Sequence, residues 1–263
     1  MGVELPPDCG GDGAEDDDFF VLENVEDKAR TLHHVPGPLD LMQVGLKRQV
    51  AAEYYSPPRV LPCICSSNCI LSLDILTGWD FTQARNRQLS LDALKQFEVD
   101  FCVLSPPCTM FSCLQILFKN FEKMDPAVFQ RRWHEAEVFM KHSMDVADQQ
   151  LQRQKFFALE HPRTATSWKL PCVEKISLHG QVQKVHFDQC MLGLKAPSGK
   201  LFKKRTTIMS NSSWLVNELA KYQCDKSHEH QPIEGQENGR SRSWWAQHYP
   251  PALCKILAEA AER

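Results

Sequence analysis

Two short apolar runs flank one long amphipathic stripe. Phe101–Leu104 is stopped by Pro106 and Pro107, and Phe156–Leu159 leads into Glu160, His161 and Pro162. Between them Phe129, Trp133, Ala136, Met140, Met144, Ala147 and Leu151 recur every three or four residues. That period marks a helix with one buried face, about six turns long. Strand, long helix, strand is the pattern of a parallel crossover. No other feature limits the fold as tightly.

The alternation extends in both directions. "EYYSPPRV" reads as a short strand broken by Pro57 and Pro58, and "CILSLDILTGWDF" as an apolar run stopped by Gly78. "LSLDALKQFEV" reads as a helix with Ser90 as its cap. "KVHFDQCMLG" and "RTTIMSNSS" are further strands. "SWLVNELAKYQ" is a helix capped by Ser212 or Ser213, and "PPALCKILAEAAER" is a helix entered through proline. "QPIEGQENGRSRS" reads as a polar loop, and residues 38–52 as a short helix. The expected fold is α/β: a Rossmann-like, open, mostly parallel sheet with helices on both faces. Residues 1–36, acidic and Gly/Pro-rich, are expected to be a disordered tail ahead of one domain over 37–263.

Charge narrows the partners. The 263 residues carry a formal net charge of -3, so nucleic acid would be gripped through a local patch rather than the whole surface. "KLFKKRTT" offers Lys200, Lys203, Lys204 and Arg205, and "GRSRSWW" adds Arg240, Arg242, Trp244 and Trp245, which can stack and pair. No apolar run is long enough to span a membrane, and no signal segment opens the chain. An intracellular protein, nuclear or cytoplasmic, with its eleven cysteines mostly reduced, is the expectation.

In open α/β sheets chemistry gathers at the carboxyl ends of the strands. Ser56–Arg59, Asp74, Ser105–Cys108 and Glu160–Pro162 fall there. The two prolines aim Cys108 outward, and a helix beginning over Thr109–Leu117 would activate its thiol. Glu160, closing an apolar strand, can be aimed at a ligand, and Asp74 at a ribose. The structural alternatives are a packed thiol and two turn-capping carboxylates. Cys224, His228 and His230 lie within seven residues, and with Cys190 they complete a four-ligand set for zinc. A polar surface loop is the alternative there.

"SPPCTMFS" resembles the catalytic motif of the DNA cytosine-5 methyltransferases, with Thr109 where that motif has glutamine. "ALEHP" shares the family's glutamate, Glu160, but His161 and Pro162 depart from its Glu-Asn-Val. "YYSPPRV", "SLDILTGWDF", "LEHPRTATSW", "FDQCMLG" and "YPPALCKIL" are similar to a methyltransferase-like family of mobile-element polyproteins and protist genomes. The resemblance implies methyl transfer from S-adenosylmethionine to cytosine in nucleic acid, DNA rather than RNA. It implies Cys108 as nucleophile and Glu160 as the acid that holds the base. Ser56, Arg59, Asp74, Trp79 and Asp80 are the positions expected on the donor side, with Trp79 stacking on adenine. "YYSPPRV" lacks the glycines of the family's donor loop, so an inert domain binding nucleic acid or a protein partner is the rival expectation.

Overall fold

The computed structural model describes residues 49–64, 69–113, 115 and 120–263. A six-stranded sheet forms the centre, in the order β2-β1-β3-β4-β7-β5. Its strands are β1 (Val50–Tyr54), β2 (Cys69–Leu73), β3 (Phe101–Leu104), β4 (Phe156–Pro162), β5 (Gln183–Asp188) and β7 (Arg205–Ser210). β1 to β4 are parallel. β7 runs antiparallel to both its neighbours, β4 and β5, so it is the one reversed strand. The sheet is thus mostly parallel, as the alternation of elements requires. After β2 the chain crosses back to place β3 on the other side of β1, which opens a crevice between the ends of β1 and β3.

Side chains alternate between two cores. Ala52, Tyr54, Cys102, Leu104, Phe157 and Leu159 face one side, where they meet the whole stripe from Phe129 to Leu151. That stripe belongs to α3 (Pro126–Gln152), entered through the Asp125 cap and Pro126. α1 (Ala84–Gln96) and α4 (Pro171–Ser177) pack on the same side. Ala51, Phe101, Val103, Ala158 and Ile208 face the other way, onto α5 (Ser213–Leu219) and α7 (Pro251–Ala261). Fully burying each large side chain is worth about 1.5–3 kcal/mol, so both faces hold the sheet between helices.

Several expectations change. Val50–Ala52 belong to β1 and not to a helix, because all three pair with β2 in register, and Gln49 is in no helix; residues 38–48 of that expected helix, and residues 1–36, lie outside the described residues. Ser90 is no cap: it is buried inside α1, its hydroxyl bonded to the Arg87 carbonyl. Ser212, by contrast, does cap α5. The expected polar loop begins inside β8 (His230–Gln231), which pairs with β6 (Leu201–Phe202). It also contains a hairpin of β9 (Gln236–Glu237) and β10 (Arg240–Ser241), leading to α6 (Arg242–Ala246). Asn238 and Gly239, both at positive φ (53° and 74°), make its turn. A short helix α2 (Asn120–Lys123) precedes α3.

Candidate active site

The carboxyl ends of β1, β3 and β4 open into one cleft of about 810 Å³. The start of the reversed strand β7 forms the facing wall. Cys108 and Glu160 both line this cleft, one from the turn after β3 and the other from the adjacent strand β4.

The turn carrying Cys108 is fixed from below. Pro106 is buried, and its carbonyl meets His161 Nε2 at 3.2 Å. A carbonyl only accepts, so Nε2 bears the proton. His161 Nδ1 then accepts from the Ser167 hydroxyl at 2.7 Å. Burial drives the His161 pKa down to about 3, so the ring is neutral and keeps this tautomer. His161 therefore holds the Pro106–Pro107–Cys108 turn through the Pro106 carbonyl. Cys108 itself is half-buried and caps only one 3₁₀ turn, Thr109–Phe111. Burial pushes its thiol pKa up, the Lys204 ammonium pulls it down and the Glu160 carboxylate raises it again. The thiol is protonated at neutral pH. Of the expected helix over Thr109–Leu117, Thr109–Phe111 form that turn and Cys113 and Gln115 are helical; Leu114 and 116–119 lie outside the described residues.

Glu160 is buried and held at two points. Tyr249 donates to its Oε2 at 3.2 Å, and since that uses the phenol proton, Ser105 donates to Tyr249 at 2.7 Å. Lys204 Nζ stands 3.5 Å from Oε1 and 5.7 Å from the centre of the Tyr249 ring. Glu160 Oε1 has no hydrogen bond among the described residues. Burial beside Glu160 pushes the Tyr249 pKa up, which keeps the phenol a donor. In the sequence Tyr249 stands only as the first residue of "YPPALCKIL", with no signal that its hydroxyl reaches Glu160.

The residues expected on the donor side divide. Ser56 and Arg59 line the cleft. Ser56 donates to the Pro57 carbonyl at 3.0 Å, and Arg59 Nη1 to the Gln247 carbonyl at 3.1 Å. The loop holding them is built on Glu53, a fully buried carboxylate whose Oε2 accepts from the backbone N–H groups of Arg59, Val60 and Leu61. Tyr55 stands at φ 60°, the left-handed region where glycine is usual. Asp74, Trp79 and Asp80 are not among the residues lining the cleft. Asp74 caps a 3₁₀ turn through Leu76 N–H at 2.9 Å. Asp80 accepts from Thr82 and Gln83, which hold its carboxyl below the usual range. Trp79 packs against Phe81, ring centres 6.1 Å apart.

The basic run divides as well. Lys203, Lys204 and Arg205 line the cleft, while Lys200 does not. Outside it, the Arg240 guanidinium lies 4.5 Å from the Trp244 ring centre, and Trp245 packs on a small core around Phe202. Cys190, Cys224, His228 and His230 come together, their ligand atoms all within 4.8 Å of one another.

No protein-family model matches the chain, and no curated protein matches it. A solved structure, that of the Entamoeba histolytica methyltransferase EhMeth, is similar at 12% identity with a TM-score of 0.35. The match covers 73% of this chain and 58% of that one. No helix among the described residues is long and apolar enough to cross a membrane.

Proposed function

We propose that the cleft receives an extruded cytosine of a nucleic acid, and that Cys108 is the nucleophile of a methyl transfer dependent on S-adenosylmethionine. The observation that carries this reading is the pairing of Cys108 and Glu160 on adjacent strand ends, facing one cleft. Cytosine carbon 5 is a poor nucleophile until a thiolate adds to carbon 6. In that addition the S–H proton passes to the Glu160 carboxylate, the S–C6 bond forms and the C5–C6 double bond opens. Glu160, now the carboxylic acid, gives that proton to the ring nitrogen to neutralise the charge that moves there. After methylation carbon 5 loses its hydrogen as a proton to water, the double bond re-forms as the thiolate departs, and the proton on the ring nitrogen returns through Glu160 to sulfur. Lys204 lies close enough to both groups to favour the thiolate and to steady the carboxylate. A base can reach this depth only by leaving its stack.

Ser56 and Arg59, at the crevice between β1 and β3, fit the donor's amino-acid end, Arg59 by charge. The left-handed Tyr55 gives the turn that glycine would otherwise make. When bound, the donor supplies an electrophilic methyl group. Lys203 and Arg205 on the cleft wall suit phosphates, and DNA is the preferred substrate.

An inert nucleic-acid-binding domain is the second reading, favoured by the glycine-free loop and by the local hydrogen bonds that occupy Asp74 and Asp80. Calorimetry with S-adenosylmethionine, followed by transfer of a labelled methyl group to DNA or RNA, separates the two. Donor binding and label in cytosine support the enzyme. A protein that binds DNA but no donor is the inert domain.

A further inference from the structure

We propose that Cys190, Cys224, His228 and His230 bind one zinc ion, and that this site fixes the cleft wall bearing Lys204. Cys190 is buried in the 3₁₀ turn that closes β5, Cys224 and His228 follow α5, and His230 lies in β8. The fold brings them together across more than thirty residues of chain. Cys224 Sγ is 3.4 Å from His230 Nε2 and 3.9 Å from His228 Nε2. Ligand bonds of about 2.0–2.3 Å at tetrahedral angles separate such atoms by about 3.3–3.8 Å, so only small adjustments close the set on zinc. Two thiols and two imidazoles are a donor set that zinc favours over magnesium or calcium.

The surroundings are those of a metal ligand set. The Asp188 carboxylate accepts from Cys224 N–H at 2.9 Å, and Asp188 N–H bonds the Tyr222 carbonyl at 2.9 Å. The Lys226 N–H, at positive φ, points to Cys224 Sγ at 3.4 Å. Such contacts orient a thiolate and offset its charge.

Two routes lead from the site to the cleft. Gln189, next to Cys190, donates its N–H to the Lys204 carbonyl at 3.0 Å and its side-chain amide to Thr206 at 2.9 Å. His230 pairs through β8 with Leu201 in β6, three residues before Lys204, and itself lines the cleft. β6 and β8 are two-residue strands, too short to hold a wall by their ladder alone. The metal supplies the missing cross-link. The consequence for Lys204 and Glu160 rests on the proposed function; zinc binding does not.

The test is elemental analysis of the full chain, purified under reducing conditions from zinc-supplemented culture. One zinc per chain is expected, lost in Cys224→Ser and in His230→Ala and retained in Cys63→Ser. Replacing zinc by cobalt(II) in the unaltered protein gives the visible bands of a tetrahedral thiolate site, which decides the matter if a variant fails to fold. Chelation is expected to speed hydrogen exchange at Leu201–Lys204 while leaving β1 and β3 protected. A zinc-free protein that takes up no cobalt, or a Cys190–Cys224 disulfide in place of metal, overturns the site. Zinc bound with unchanged exchange at Leu201–Lys204 overturns its bracing role. Metal bound without methyl transfer would leave the site standing and count against the proposed function alone.

Discussion

Cys108 is a thiol at rest. Its pKa lies above the ordinary value because burial and Glu160 outweigh Lys204. Alkylation of Cys108 by iodoacetamide is therefore expected to be slow at neutral pH and to accelerate as pH rises past the ordinary thiol range. Peptide mapping across pH measures it, and full reactivity at neutral pH would contradict the assigned environment. His161 has a different sensitivity. It and the buried His142 are neutral in the fold down to about pH 3, whereas the unfolded imidazoles titrate near 6.5. Stability is then complete above about pH 6.5 and falls as pH drops toward 3. Near pH 5 each ring costs about 2 kcal/mol. Urea unfolding at neutral and acid pH checks the sum, and His161→Gln is expected to flatten part of the slope. Tyr249→Phe removes the donor to Glu160 Oε2 and is expected to destabilise by about 1.5–3 kcal/mol. A loss near zero in the same unfolding assay would show that water replaces the phenol.

Helices and strands differ in how plainly the chain announces them. The stripe from Phe129 to Leu151 sets α3 because all seven residues pack on one face of the sheet. Asp125 marks its start, accepting from Ala127 and Val128 N–H. Asp125→Ala is expected to cost about 1 kcal/mol in thermal or urea unfolding; no change would mean the cap is replaced by solvent. The reversal of β7 was not legible, because "RTTIMS" is buried on both faces like a parallel strand. The β9–β10 hairpin is legible in the sequence, since Asn238-Gly239 is the pair such a turn requires. At the cleft, Cys108 and Glu160 stand out in the sequence because each ends or closes an apolar strand. Tyr249 and Glu53 do not, since their partners are 89 residues away in one case and backbone amides in the other. Asp74 and Asp80, which read as ligands, each accept from a backbone N–H two residues on, a local use the same residue type serves equally well.

Over the whole molecule, one end of the sheet collects the polar and reactive groups while both faces are apolar. The carboxyl ends of β1, β3 and β4 supply Arg59, Cys108 and Glu160, and the reversed strand brings Lys204 and Arg205 to the same end. The basic side chains there are local, as a chain of net charge -3 requires. The covalent bond proposed between Cys108 and a cytosine in this cleft can be trapped directly. An oligonucleotide with fluorine at cytosine carbon 5 cannot lose a proton from that carbon, so a thioether formed during methyl transfer would persist. Incubation with S-adenosylmethionine and peptide mass spectrometry is expected to find the nucleotide on the peptide holding Cys108, and no adduct with Cys108→Ala. Methyl transfer that proceeds with Cys108→Ala, or an adduct on another residue, would contradict it.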